Sequence, residues 1–166
     1  MATSISLPNR LDASCIHPLL ECAKQIASVP DATIDARKVQ FSYPFGVVLL
    51  GAALLRREAA GLPAAAYLEP QASEARDFLQ EVGFSTFVTS CTTPRFGTLE
   101  LRRLPATPLH PAFAHEVGKL IEQRVPNTSE SVAYLVETAI KEMLLYVVEH
   151  EDSSTVIVVL FRWYAK

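Results

Sequence analysis

The 166-residue sequence predicts an α/β fold, a mixed sheet with flanking helices, followed by a C-terminal helix-helix-strand segment. Strand-like and helical hydrophobic patterns alternate through the first ninety residues, as in α/β layer folds. Proline and glycine stand at most borders between these patterns. Apolar residues make up 49% of the chain, enough for a substantial core. We therefore expect an α/β domain over residues 1–92 and a second segment over residues 93–166.

The first half predicts four strands and three helices. Strands are expected at residues 5–7, 33–41, 64–68 and 84–88, and the second of them, interrupted by a basic pair, is expected at the centre of the sheet. Helices are expected from residue 16 to Pro30, from Pro44 to Gly61 and from Ser73 to Gly83. Gly83 is placed to end the last of these helices as a C-cap.

The second half predicts a strand at residues 98–102, helices over 111–125 and 129–149, and a strongly β-prone strand over 155–163. The second helix carries an apolar face that we expect to be buried. Its members are Val132, Leu135, Val136, Ala139, Ile140, Met143, Leu144 and Val147.

Composition excludes several classes of function. The net charge of -3 and the scattered basic residues argue against nucleic acid as a ligand. The longest apolar run, residues 45–55, is far shorter than the roughly 20 residues that span a bilayer, so no membrane partner is expected. Three cysteines without metal-ligand spacing or a signal segment favour a reducing, cytoplasmic location, and no metal site is expected.

The stretch from Ala32 to Leu50, which contains Asp35, Phe41 and Gly46, resembles the STAS family known from anti-sigma-factor antagonists. The order of elements in the first half is similar to that family as well. In STAS domains a serine before the helix-opening glycine is phosphorylated by a partner kinase, whereas Phe45 stands there in this chain. The resemblance implies a bacterial regulatory module with a protein partner, either a kinase or a sigma-factor-type regulator.

Residues Glu142, Tyr146 and His150 resemble the first motif of histidine kinase-like ATPase domains, in which an acid, an asparagine and a histidine stand four residues apart. The resemblance implies a nucleotide-binding role for these three positions. Tyr146 replaces the asparagine that helps to hold magnesium, and a neutral phenol is a poor ligand for a hard cation. The glycine-rich motifs that follow in that family are absent up to Lys166, which implies a truncated and degenerate ATPase segment.

A second candidate site lies at the start of the helix that Pro44 opens. Free backbone amides and the helix dipole favour an anion at such a terminus. Ser42, Tyr43, Phe45 and Gly46 are therefore candidates for docking an anion or a protein partner.

Two functions follow from these features. The first is a non-catalytic interaction protein without a cofactor. It is expected to form a homodimer or to bind a strand-sharing partner, because the strand over 155–163 is too apolar for an uncovered sheet edge. The second is the N-terminal part of an anti-sigma-type serine kinase or ATPase, which would use ATP and magnesium only if a longer chain or a dimer completes the site. A small-ligand sensor using the apolar helix over residues 45–55 is a third alternative. No catalytic residues are assigned, which favours a protein that is not an enzyme.

Overall fold

The computed structural model describes residues 2–90, 101–105, 110–124, 129–150 and 155–159. The described chain divides into two compact units, one containing residues 2–90 and the other containing residues 110–124 and 129–150. The boundary predicted between residues 92 and 93 lies outside the described residues. Both helices and parallel sheets are present, so the predicted α/β class is confirmed.

Residues 2–90 of the first unit contain five short strands and four α-helices. In chain order these are β1 (Thr3–Ser6), β2 (Arg10–Leu11), α1 (Ile16–Ser28), β3 (Ala32–Asp35), β4 (Phe41–Ser42), α2 (Pro44–Ala59), β5 (Ala66–Leu68), α3 (Ser73–Glu81) and α4 (Phe84–Ser90). A 3-10 turn, Ala13–Cys15, precedes α1. The strands form a parallel three-stranded sheet in the order β1-β3-β5 and a parallel two-stranded sheet of β2 and β4.

The strand predicted over residues 33–41 is two strands in the structure. β3 occupies the predicted central place, and its Ile34 is fully buried between Ile5 of β1 and Tyr67 of β5. The chain then turns, because the amide of Val39 donates to the carbonyl of Ala36 at 2.8 Å. β4 pairs with β2 in the second sheet. The segment that was predicted as one strand therefore contributes a strand to each of two sheets.

The helices of the first unit begin and end close to the predicted positions. Pro44 is the first residue of α2, where its missing amide hydrogen costs no helical hydrogen bond. Gly83, with a φ of 70°, follows α3 in the left-handed conformation expected of a C-cap glycine. The apolar side of α3 faces the core as its spacing predicts, with Ala75, Phe78 and Leu79 buried.

The strand predicted at residues 84–88 is wrong, because this segment forms helix α4. Its buried residues Phe84, Phe87 and Val88 are three and four positions apart, which is the spacing of one helix face. The amide of Phe87 donates to the carbonyl of Gly83 at 3.0 Å, so the new helix starts at the glycine that ends α3. Aromatic and β-branched composition favoured a strand, and packing against the core overrode that preference.

A buried arginine ties α2 to the end of α1. Arg57 is only 2% exposed, and its guanidinium donates to the carbonyls of Ile26 at 3.0 Å, Val29 at 2.5 Å and Pro63 at 2.6 Å. It also donates to the carbonyl of Pro30. The last carbonyls of a helix lack partners within the helix and carry its partial negative charge, so a cation at this place is stabilising.

The described part of the second unit is built on two helices, α5 (His110–Arg124) and α6 (Glu130–His150). They pack side by side in opposite directions, since His115 lies against Glu137 while Gly118 lies against Ala133. Two further strands, β6 (Leu101–Pro105) and β7 (Thr155–Val159), pair as a two-stranded sheet. Both helices were predicted, and so were strands at these places.

The buried face predicted for α6 is wrong for its described members. Val132, Leu135 and Met143 are 47%, 65% and 69% exposed. Ala139 is exposed, Val136 and Ile140 are half-buried, and the side chains of residues 144 and 147 lie outside the described part. α5 instead covers the neighbouring face of α6, on which Ala133 is buried.

Among the described residues, no helix combines the length and the apolar character that crossing a membrane requires.

Candidate functional site

The segment from β4 into the first turn of α2 contains all four predicted docking residues. Tyr43 is the N-cap of α2, with an extended backbone, and its amide donates to the carbonyl of Leu11 in β2 at 3.1 Å. Strand β4 therefore continues straight into the helix without an intervening loop. The pairing with β2 fixes the direction in which α2 begins.

Gly46 allows α2 to lie directly against β2. A Cβ atom at this position would stand 2.4 Å from the carbonyl oxygen of Leu11 and 2.7 Å from its Cβ. These contacts are too short for a real side chain, and the backbone oxygen cannot turn away as a flexible side chain would. Glycine at residue 46 is thus required by the close approach of the two backbones.

Aromatic side chains surround this junction. The rings of Phe41 and Tyr43 meet edge to face, with their centroids 4.7 Å apart. Tyr43 is 48% exposed, and Phe45, in the first turn of α2, is 43% exposed. Such edge-to-face pairs are stabilising and hold both rings in place.

Arg10 completes this surface. Its guanidinium carbon lies 5.0 Å from the centre of the Phe41 ring, and its Nε donates to Oδ2 of Asp12 at 2.8 Å. Arg10 stands opposite Phe41 because β2 and β4 pair in parallel. We call Arg10, Phe41, Tyr43 and Phe45 the aromatic-arginine patch.

Asp12 anchors Arg10 to the backbone. Its Oδ1 accepts hydrogen bonds from the amide of Ser14 at 2.9 Å and from the Ser14 hydroxyl. The Ser14 hydroxyl, followed by Arg10, holds the pKa of Asp12 below its usual value. The carboxylate therefore stays ionised at neutral pH and remains paired with Arg10.

A second carboxylate, that of Asp35 at the end of β3, also pairs with an arginine two residues away. Asp35 accepts from Arg37 Nε at 3.0 Å and from a terminal guanidinium nitrogen at 2.8 Å, a two-pronged pair. The Arg37 amide donates to the same carboxylate at 3.1 Å. Chiefly through the guanidinium bonds, Arg37 lowers the pKa of Asp35 to about 2. Neither Asp12 nor Asp35 is suited to general acid-base chemistry near neutral pH.

Ser42 does not take part in the exposed surface. Its Oγ is buried, and within the described chain it has no hydrogen-bond partner. A docking partner would meet the rings of Tyr43 and Phe45 before it met this hydroxyl. Binding of an anion by the first turn of α2 stays a prediction.

The predicted nucleotide residues all lie on α6. Glu142 is exposed, whereas the side chains of Tyr146 and His150 lie outside the described part. Eight residues of α-helix separate the first position from the last by about 12 Å along the axis. The helix that the motif requires is confirmed, and its binding of a nucleotide stays a prediction.

A groove of about 680 Å³ lies between α5 and α6. Its polar lining residues include His115, Lys119, Glu122 and Glu137. Glu137 Oε2 lies 3.0 Å from His115 Nδ1, and its Oε1 accepts from Lys141 at 2.7 Å. Lys141 first, and then His115, lowers the pKa of Glu137. Within the described residues, no group of three or more metal-ligating side chains is found here or elsewhere.

Sequence reasoning missed Arg10 and Phe41 as site residues. They are 31 positions apart, and only the parallel register of β2 and β4 brings them together. A short-range signal existed in Arg10 and Asp12, which pair across two residues. Comparisons with protein-family models, with curated proteins and with solved structures found no significant match to this chain.

Proposed function

We propose that this chain is a non-catalytic protein-interaction module, STAS-like in its first half, that docks a regulatory protein through the aromatic-arginine patch. The observation that carries the proposal is that Tyr43 and Phe45 are 48% and 43% exposed, and that the ring of Tyr43 packs on Phe41, which Arg10 covers. Large aromatic side chains are normally buried, and a cluster of exposed ones is a mark of an interaction surface.

The composition of the patch supports a protein as its partner. Tyrosine, phenylalanine and arginine are enriched at the centres of protein interfaces, and tyrosine and arginine in particular often carry much of the binding energy. Arg10 and Phe41 are already held by Asp12 and by the ring of Tyr43. Groups that are ordered before binding lose little conformational entropy when a partner arrives.

The chemistry of the patch also limits the partner. The side chain of Arg10 is 49% exposed, so a carboxylate can reach its guanidinium beside Asp12. Apolar side chains would cover the rings of Tyr43 and Phe45. A surface with an acidic residue flanked by apolar ones fits both requirements, and the resemblance to STAS modules favours a regulatory kinase or a sigma-factor-type regulator.

Several residues support a role without catalysis. Phe45 stands where STAS domains carry the phosphorylated serine, and Tyr146 stands where ATPases of the histidine kinase type carry asparagine. Asp12 and Asp35 are engaged by Arg10 and Arg37. These features leave the patch as the best-supported functional surface.

Site-specific photo-cross-linking tests the docking surface. We would introduce p-benzoylphenylalanine at residue 45 and, as a control, at residue 24. Lys24 is exposed on α1, and its side chain pairs with Glu21 on the same helix. We expect a cross-linked protein at residue 45 and none at residue 24. Equal cross-linking at both positions, or none at residue 45, would contradict the proposal.

Purified partner then provides the quantitative measurement. By isothermal titration, the double variant Tyr43→Ala, Phe45→Ala should bind at least about tenfold more weakly, since each central aromatic contributes more than about 1 kcal/mol. Lys24→Ala should bind as the original chain does. Unchanged affinity of the double variant would remove the patch from the binding surface.

Titration with ATP and magnesium tests the absence of an ATP site. We expect no saturable heat and no thermal shift, because Tyr146 is a poor magnesium ligand. Saturable micromolar binding, weakened by Glu142→Gln, would instead favour an ATP-dependent kinase or ATPase.

A further inference from the structure

Helices α1 and α2 begin at the same end of the first unit. They pack side by side, and Arg57 near the end of α2 donates to the carbonyl of Val29 at the end of α1. Phe45 stands twelve residues before Arg57, and Ile16 stands thirteen residues before Val29, which is about 18–20 Å of helix in both cases. Ile16 and Phe45 therefore lie at the same level of the two helices.

The start of α1 carries two exposed apolar side chains. Ile16 and Leu20 are 38% and 39% exposed and stand one helical turn apart. Ala23 follows on the same side of the helix and is buried. The exposed pair therefore continues the packed side of α1 outward, at the end where Phe45 of α2 is also exposed. We call Ile16, Leu20 and Phe45 the helix-end surface.

The charges at this end favour an acidic partner. Within residues 2–90, the first turns of α1 and α2 contain no acidic side chain, and neither N-cap side chain makes a hydrogen bond to its helix. Because the helices are parallel, the partial positive charges of both N-termini lie together. Arg10 adds a guanidinium on a side chain that is 49% exposed, and it is paired with Asp12. A carboxylate of a partner would therefore meet a positive potential here.

The backbone at this surface favours a helix over an extended segment as the docked element. α1 and α2 present side chains, because their backbone groups are bonded within the helices. An extended peptide would find no strand edge on these two helices, and its own covered amides would stay unpaired. A helix satisfies its own backbone, and its side chains can pack between those of α1 and α2.

We propose that the regulatory protein docks one amphipathic helix on the helix-end surface. An acidic residue of that helix lies near Arg10, and its apolar residues cover Ile16, Leu20 and Phe45. The docked helix extends the contact surface of the aromatic-arginine patch onto α1, so the proposal rests on the docking function proposed for that patch.

Two leucines of equal exposure test whether α1 belongs to the docking surface. Leu20 and Leu68 are 39% and 38% exposed. Leu68 follows Tyr67 in β5, so its side chain points away from the sheet face that carries the buried Ile34. By isothermal titration with the purified partner, Leu20→Ala should bind at least about fivefold more weakly than the original chain. Leu68→Ala should bind as the original chain does.

Substitutions of opposite charge at residue 20 test the acidic character of the docked helix. Leu20→Glu and Leu20→Lys remove the same apolar contact and differ in the sign of the new charge. Against an acidic helix, the glutamate variant should bind at least about threefold more weakly than the lysine variant, and added salt should reduce the difference. Equal or tighter binding by Leu20→Glu would contradict an acidic partner.

Photo-cross-linking reports the backbone conformation of the docked segment. p-Benzoylphenylalanine at residue 20 and at residue 45 should each attach to the purified partner, and the same group at residue 68 should not. Mass spectrometry of the linked peptides should give partner residues three, four or seven positions apart, which is the spacing of one helix face. Attachment points two positions apart, or in separate segments of the partner, would overturn the single helix.

These outcomes separate the docked helix from the docking function itself. If residue 45 captures the partner while Leu20→Ala binds as the original chain does, the patch remains a docking surface and its extension onto α1 is wrong. If residue 45 captures no protein, or the double variant Tyr43→Ala, Phe45→Ala keeps its affinity, both proposals are wrong.

Discussion

Helices α2 and α6 are both rich in apolar residues, yet these residues are buried in α2 and largely exposed in α6. In α2, Leu50 and Leu54 are 0% and 1% exposed. In α6, Leu135 and Met143 are 65% and 69% exposed. An apolar face shows which side of a helix favours burial, but it does not say which element covers that side.

The difference follows from what surrounds each helix. α2 packs against α1, α4 and β2 within the first unit, so several of its faces are covered. Among the described elements, α6 packs chiefly against α5, which covers one face only. The helix α2 is therefore buried on several sides, whereas the face of α6 that carries Leu135 and Met143 stays exposed.

The largest expected difference in stability between the two units comes from replacing a basic side chain in each, Arg57 in the first and Lys141 in the second. Arg57→Met should lower the free energy of unfolding by about 4 kcal/mol, since at least two buried carbonyls lose their donor at about 1–3 kcal/mol each. Lys141→Met, which removes a partly exposed ion pair with Glu137, should cost less, about 1 kcal/mol. Urea denaturation followed by circular dichroism measures both values.

Arg56→Met is the control beside Arg57, because Arg56 is exposed on the same helix and has the same side-chain type. We expect a change within about 0.5 kcal/mol. Equal effects of the two arginine variants would mean that Arg57 does not hold the end of α1.

Two leucines sharpen the same comparison. Leu54→Ala should cost about 3 kcal/mol, because it removes buried methyl groups and leaves a cavity. Leu135→Ala should change the stability of the monomer by no more than about 0.5 kcal/mol. Thermal unfolding at a concentration where the chain is monomeric gives this value. A large loss at Leu135 under those conditions would show that its face is already covered within one chain.

The smallest expected difference between the two units is that between two glycines. Gly46→Ala should destabilise by about 2 kcal/mol, since its Cβ would overlap the backbone of Leu11. Gly118→Ala should be close to neutral, because the 3.3 Å contacts at that site are offset by the helix propensity of alanine, about 1 kcal/mol better than glycine. Urea denaturation of the two variants measures both changes in the free energy of unfolding. A larger loss for Gly118→Ala than for Gly46→Ala would contradict our description of the backbone contacts at these two glycines.

Local patterns predicted most elements of this fold. Pro44 marked the start of α2, and Gly83 marked the end of α3, because each restricts or permits a particular backbone conformation. The failures came where distant contacts decided the outcome. Phe84 and Phe87 favoured a strand by composition, but both are buried on one face of α4.

The candidate site was only partly predictable. Tyr43 and Phe45 stood out because they flank the proline at the start of α2. The place of Arg10 over Phe41 depends on the pairing of two strands that are distant in the chain, and the inward direction of Ser42 Oγ depends on the same packing. Single-residue preferences contain no information about such pairings.

The sequence by itself determined the α/β class, the start of α2 at Pro44 and the buried side of α3, because these depend on residues within a few turns of one another. Only the tertiary structure decided that Arg57 donates to the carbonyls of Ile26 and Val29, and that Leu135 and Met143 of α6 stay exposed. Burial and long-range hydrogen bonds depend on which elements meet in space, and chain segments far apart in sequence decide that together.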